Sequence, residues 1–241
     1  MSATYSYSPI HRAVEVVSIA LFFLLVVILT HQAWLGLAGP FRAEAWWVIP
    51  TAALFGWLLA DFVSGVVHWL ADNFGHERLP IIGQSLIRPF REHHVDPRAI
   101  TRHDFIETNG NNCLVCWPVL AVVCVWLPTQ AHVLAAWFAV AWVVFNLGIF
   151  ATNQFHKWSH LEVVPGWIAW LQDRRLILSP THHDVHHTPP FDRYYCITTG
   201  WLNPLLCDGL RFFQRAEALI RWVTRSPKAP APGAARDVPS A

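Results

Sequence analysis

The chain has 241 residues, of which 54% are hydrophobic and only 14% charged, with a mean hydropathy of +0.33. Soluble domains carry roughly a quarter charged residues, so the composition excludes an ordinary soluble globular protein and makes a bilayer the solvent for part of the chain. A formal net charge of +1 excludes bulk electrostatic attraction to nucleic acid, and no such partner is expected.

Residues 1–12 are expected to form a short N-terminal cytoplasmic segment. The first apolar run, AVEVVSIALFFLLVVILTHQAWLGLAG (13–39), is long enough for a spanning helix, which needs ~20 mainly apolar residues. Its core is too long for a signal peptide, and no small-residue cleavage site follows cleanly. The second run, AWWVIPTAALFGWLLADFVSGVVHWLA (45–71), has Trp46 and Trp47 suited to one membrane interface and Trp69 to the other. Two further apolar stretches, 113–127 and 131–152, are separated by the turn signal PTQ. The third is short for a full span, so it starts earlier, tilts, or forms half of a shallow hairpin. The expected fold is an all-α integral membrane protein with about four transmembrane helices, or three plus a re-entrant segment, and a cytoplasmic histidine-rich metal-binding cap.

Basic residues set the orientation. Arg12 and Arg42 flank the first run, Arg78, Arg88, Arg91, Arg98 and Arg102 crowd the 72–112 loop, and no Lys or Arg recurs until Lys157. The positive-inside rule places that loop and everything after residue 156 in the cytoplasm, together with the N-terminus. Cys113, Cys116, Cys124, Cys196 and Cys207 lie in or beside apolar stretches and read as reduced, small apolar residues. The CxxC at Cys113 and Cys116 has no second pair, so it is not read as a zinc site. Toward the C-terminus, LLCDGLRFFQRAEALIRWVTR mixes apolar and Arg positions at helical spacing and reads as an amphipathic helix on the cytoplasmic membrane surface. The Pro- and Ala-rich stretch 226–241 is expected to be a disordered tail, leaving 13–225 as the membrane-embedded domain.

The histidines follow the same partition. Of the 14 in the chain, His68, His93, His94, His103, His156, His160, His182, His183, His186 and His187 fall at one membrane face or just beyond it. His11, His31, His76 and His132 are isolated and read as incidental. His156 and His160 are i, i+4 and project from one helix face; His183, His186 and His187 are i, i+3, i+4 and do the same if helical. With His68 and the His93–His94 pair they could surround more than one metal ion. Imidazole suits zinc, copper, iron and nickel alike, but a structural or hydrolytic zinc rarely takes more than four ligands, so this many histidines suit a pair of metals. Asp61 lies inside the second apolar run, where an ionisable group is expensive and usually functional. Asp61, His68 and Asp72 share a helix face, so both carboxylates are candidates to accept a ligating histidine's second N–H; a bond from Asp61 to a serine or backbone group is the alternative. Asp96, Asp104, Glu107 and Asp184 are weaker candidates, and Asp104 also reads as a helix cap.

The stretches DFVSGVVHWLADNFG, LPIIGQSLIRPFREHHVDPRAITRHDFIETNGNNC, NQFHKWSH, HHDVHH and YYCITTGWLN closely resemble the Kua/CarF lipid desaturases. The resemblance runs from about residue 61 to 203 and is specific through the long block 79–113. It implies an enzyme with two iron ions that uses O2, and eight metal-ligand candidates: His68, His93, His94, His156, His160, His183, His186 and His187. His103 and His182 take supporting roles by the same comparison. It also implies the activity: conversion of the sn-1 alkyl ether chain of a plasmanylethanolamine phospholipid to a vinyl ether, with a membrane phospholipid as substrate. A bacterial inner membrane is the expected location, with the active site facing the cytoplasm as the arginine distribution places it. No haem, flavin or ferredoxin motif is present, so electrons are expected from a separate cytochrome b5-like or ferredoxin-like protein. Acyl-chain desaturation of phosphatidylglycerol is the alternative within the family. A lipid hydroxylase or metal-dependent hydrolase is the alternative outside it. A metal transporter fits less well, because its ligands belong at mid-membrane.

Overall fold

The computed structural model describes residues 8–80 and 83–225. Every regular element among them is helical: α1 (Pro9–Ala38), α2 (Ala45–Asn73), α3 (Arg88–Val95), α4 (Phe105–Trp126), α5 (Val133–Ser159), α6 (Gly166–Asp173), α7 (Pro180–His183) and α8 (Phe212–Thr224). Four of these, α1, α2, α4 and α5, are long and apolar enough to cross a membrane, and the chain is an integral membrane protein. The third span begins at Phe105 rather than 113, because Asp104 caps it by accepting from the Glu107 amide at 3.0 Å. The polar turn that composition assigned to a loop is thus the first part of a full-length helix. Ser8 likewise caps α1, with Pro9 at its first position, so residues 9–12 are helical. The expected tail, 226–241, lies outside the described residues.

The chain forms two compact units. One contains α1, α4, the first part of α2 up to Ala60 and α5 as far as Gln154; the other contains residues 61–102 and everything from Phe155. In the first unit Phe22, Val26, Leu29 and Ala33 of α1 pack with Cys113, Cys116, Leu120 and Cys124 of α4 and with Ala139 and Val143 of α5. Opposite faces expose Val27, Val115, Val122 and Val125. A helix apolar all round suits lipid on one side and protein on the other. Interhelix packing here depends on small residues: a Cβ on Gly56 would collide with the Ala141 carbonyl, the close approach that membrane helices favour.

The second unit is built on the C-terminal part of α2. Trp69, Tyr195, Cys196, Leu206, Cys207 and Phe213 form its core. Trp69, expected at a lipid interface, is instead buried, with its ring 5.7 Å from that of Phe213 on α8. The predicted amphipathic helix is interrupted. A π-turn (Pro204–Gly209) precedes α8, whose inner face buries Phe213 and Glu217 while Leu219, Trp222 and Val223 stay exposed. All five cysteines are free and buried.

Candidate metal centre

The second unit carries the residues that could hold a metal. His68 and Asp72 stand one turn apart near the end of α2, His93 and His94 on α3, His156 on the last turn of α5 and His160 just beyond it. His183 ends α7, a short helix started by Ser179, and His186 and His187 follow in a turn. These residues converge in two groups, His93, His156, His160, His183 and His187 in one, and His68, Asp72, His94 and His186 in the other. Within each group one donor atom per residue lies within 4.8 Å of all the others.

The distances have a simple reading. In the first group, His156 Nε2 lies 2.9 Å from both His93 Nε2 and His183 Nε2, and 3.3 Å from His160 Nε2. His187 Nε2 is 3.1 Å from His93 Nε2 and from His183 Nε2. In the second, Asp72 Oδ2 stands 3.3 Å from His68 Nε2, 3.2 Å from His94 Nε2 and 3.5 Å from His186 Nε2. Metal–imidazole bonds of about 2.1 Å place neighbouring ligands at right angles about 3.0 Å apart, and the spacings here are close to those edge lengths. Both oxygens of Asp72 and Nε2 of His68 are buried without a well-aligned hydrogen bond. Buried acceptors left so cost free energy unless something else satisfies them, and a cation held between them does. The donor set fits a metal in each group.

Two backbone carbonyls aim the second group. His68 Nδ1 lies 3.2 Å from the Tyr195 carbonyl and His186 Nδ1 lies 2.9 Å from that of Arg193. A carbonyl only accepts, so Nδ1 carries the hydrogen in both rings and Nε2 presents its lone pair to the site. Electrostatics act in the same direction. Burial, followed by the neighbouring rings, holds His93 and His183 well below the ordinary imidazole range and brings His160 down to about 4. Neutral imidazole is the ligating form.

Several expected roles are redistributed. His183, His186 and His187 do not share one helical face, because α7 ends at His183; His186 joins one group while His183 and His187 join the other. Asp72, expected behind a histidine, stands inside the second group as a donor. Its i, i+4 spacing from His68 is the signal that identifies it. Asp61 touches no histidine ring of either group. Its Oδ1 accepts from the Thr199 and Gly200 amides at 2.8 and 2.9 Å, and its Oδ2 from Leu202 at 3.1 Å, which is the backbone alternative. One turn along, Ser64 Oγ accepts from the Ile197 amide at 3.1 Å. Asp61, Ser64 and His68 on one face of α2 therefore clamp the irregular segment 195–202. Asn203 supports it, accepting from the Cys196 amide and donating to the Cys196 carbonyl; nothing in the sequence singled it out.

His182 lies outside both groups, with Nε2 3.1 Å from Asn203 Nδ2 and its ring stacked on Tyr194. His103 also lies outside them, 3.7 Å from Glu107. Asp184 is exposed just beyond α7, Asp96 pairs with Arg102 at 2.6 Å, and Asp104 pairs with Arg12 at 2.7 Å besides capping α4. None of the four incidental histidines enters either group.

A family model, the lipid desaturase domain, matches residues 57–229. The chain is 48% identical over 220 residues to a plasmanylethanolamine desaturase of Myxococcus xanthus, covering 90% of this chain and 75% of that one. It is 46% identical over 224 residues to plasmanylethanolamine desaturase 1 of Mus musculus, covering 90% and 80%. A chloroplastic fatty acid desaturase 4 of Arabidopsis thaliana is 33% identical over 172 residues, covering 70% and 50%. No solved structure matches the chain significantly.

Proposed function

The chain belongs to the lipid desaturase family, and within it we propose that it acts on plasmanylethanolamine, converting the sn-1 alkyl ether to a vinyl ether. The observation that carries this reading is the nine-donor double site in a membrane chain 46–48% identical to two proteins with that name. One O2, two electrons and two protons take up the two hydrogens lost from the first and second carbons of the chain, and two waters leave. Removing hydrogen from an unactivated methylene is beyond side-chain chemistry, and a pair of iron ions would supply the activation of O2.

In this reading His93, His156, His160, His183 and His187 hold one iron, and His68, His94 and His186 with Asp72 hold the other. Five imidazoles exceed what a tetrahedral zinc takes, and a histidine–carboxylate mixture suits non-haem iron. The Tyr195 and Arg193 carbonyls fix the ring orientation of His68 and His186, so the site is preorganised. Asp61 and Ser64 keep those carbonyls in register through the 195–202 segment. The electrons come from a separate protein of cytochrome b5 or ferredoxin type. The protein sits in a bacterial inner membrane with the site toward the cytoplasm, residues 13–225 forming the desaturase domain. That placement suits attack on carbons just beneath the lipid head group.

The test is the product. Cells supplied with an alkylglycerol and expressing the chain are expected to make lipids that release a fatty aldehyde in mild acid, because protonation of a vinyl ether gives an oxygen-stabilised cation that water traps. The release should require O2. Lipids lighter by two mass units yet acid-stable would transfer the assignment to acyl desaturation, and lipids heavier by sixteen to hydroxylation.

A further inference from the structure

A cavity of about 410 Å³ adjoins the five-histidine group, and its lining includes Asp96, Arg98, Ser159, His160, Glu162 and Asp184. His160 belongs to both, so the cavity opens directly beside the first group of donors. Its charges are arranged in an unusual way. Arg98 and Glu162 face each other at 2.6 Å with side chains 64% and 70% exposed. Such a pair is worth little in water and exchanges readily for other partners. Asp96 is engaged by Arg102. Asp184, exposed in the same lining, has no cation and no side-chain hydrogen bond among the described residues.

We propose that this cavity binds the zwitterionic head group of the lipid, with Arg98 taking the phosphodiester and Asp184 and Glu162 taking the primary ammonium; the assignment rests on the plasmanylethanolamine reading above. A zwitterion can replace each half of the Arg98–Glu162 pair by an equivalent contact, so entry leaves neither charge uncompensated. The spare carboxylate of Asp184 accounts for one ammonium N–H. Guanidinium recognises phosphate oxygens through two parallel hydrogen bonds. Reach agrees with this placement, since six covalent bonds separate the reacting carbon from phosphorus and the cavity shares a wall with the donor group. The same contacts give selectivity. A primary ammonium donates three hydrogen bonds and a trimethylammonium none, so carboxylates at this position favour ethanolamine over choline.

The test uses the full-length protein in detergent and two short-chain probes, hexyl-ether glycerophosphoethanolamine and its phosphocholine counterpart, with binding measured by calorimetry. The wild-type protein is expected to prefer the ethanolamine probe. Asp184→Asn and Glu162→Gln should each weaken that probe by roughly tenfold, the cost of one charge-assisted hydrogen bond, and weaken the choline probe, which keeps only the charge attraction, by much less. Asp184→Glu should restore the preference. Arg98→Gln should weaken both probes alike. Equal wild-type binding of the two probes, no binding of either, or carboxylate variants that weaken both equally would each overturn the head-group assignment. Binding requires no turnover, so its result stands apart from the acid-lability assay, which tests the reaction itself.

Discussion

His93 and His94 are neighbours in sequence, yet their rings serve different groups: His93 Nε2 lies 2.9 Å from His156 Nε2, and His94 Nε2 lies 3.2 Å from Asp72 Oδ2. The same division separates His186 from His187. Two adjacent pairs, one on α3 and one after α7, therefore tie the two groups together, and a change at one is expected to be felt at the other.

Asp72 is the one carboxylate among the nine donors. Asp72→Ala is expected to lower iron from about two ions per chain to about one and to abolish desaturation, while the helical content measured by circular dichroism is retained. Two retained irons in the purified variant would remove Asp72 from the donor set.

His186→Ala is expected to abolish activity outright, since it removes an Nε2 donor whose orientation is fixed by the Arg193 carbonyl at 2.9 Å. His132→Ala is the control, lying outside both groups, and is expected to leave product formation close to wild type. Equal loss in the two variants would disconnect activity from the metal centre.

Asp61 contributes to stability through three backbone amides. Asp61→Ala leaves these buried donors without an acceptor, at roughly 1–3 kcal/mol each, and should lower the melting temperature strongly. Asp61→Asn keeps one carbonyl oxygen for the Thr199 and Gly200 amides and should cost less. Identical melting temperatures for the two variants would refute the clamp.

Acid should destabilise the metal-free protein. Burial keeps His160 neutral down to about 4 and holds His93 and His183 well below the ordinary imidazole range, whereas unfolded histidine takes a proton near pH 6.5. Between those values the unfolded chain binds more protons, so stability falls as the pH drops from about 6.5 toward 4 and is insensitive above 7. Melting temperatures of chelator-treated protein from pH 5 to 8 check this. A flat profile would contradict it.

Membrane orientation is open to a direct check. A reporter active only outside the cytoplasm should give signal when fused after Ala38 or Thr129 and none after Pro97 or Ala241. Signal at either of the last two would reverse the topology drawn from the arginine distribution.

The sequence by itself determined the four spanning helices, because each needs only length and apolarity to satisfy its backbone within a bilayer. Recurrence at the ends of the apolar runs, a one-dimensional pattern, marked ten histidines, of which the structure gathers eight into the two groups. The start of α4 was obscured because capping by Asp104 is local geometry that hydropathy does not record. The partition into two groups was decided only by the tertiary structure. Helical spacing predicts a shared face for His183, His186 and His187, but the helix stops at His183 and the turn sends His186 to a different group. Spacing likewise could not choose between a ring and a backbone amide as the partner of Asp61. That choice depended on the segment 195–202 folding against α2, and a contact spanning 138 residues of sequence, from Asp61 to Thr199, has no local signature.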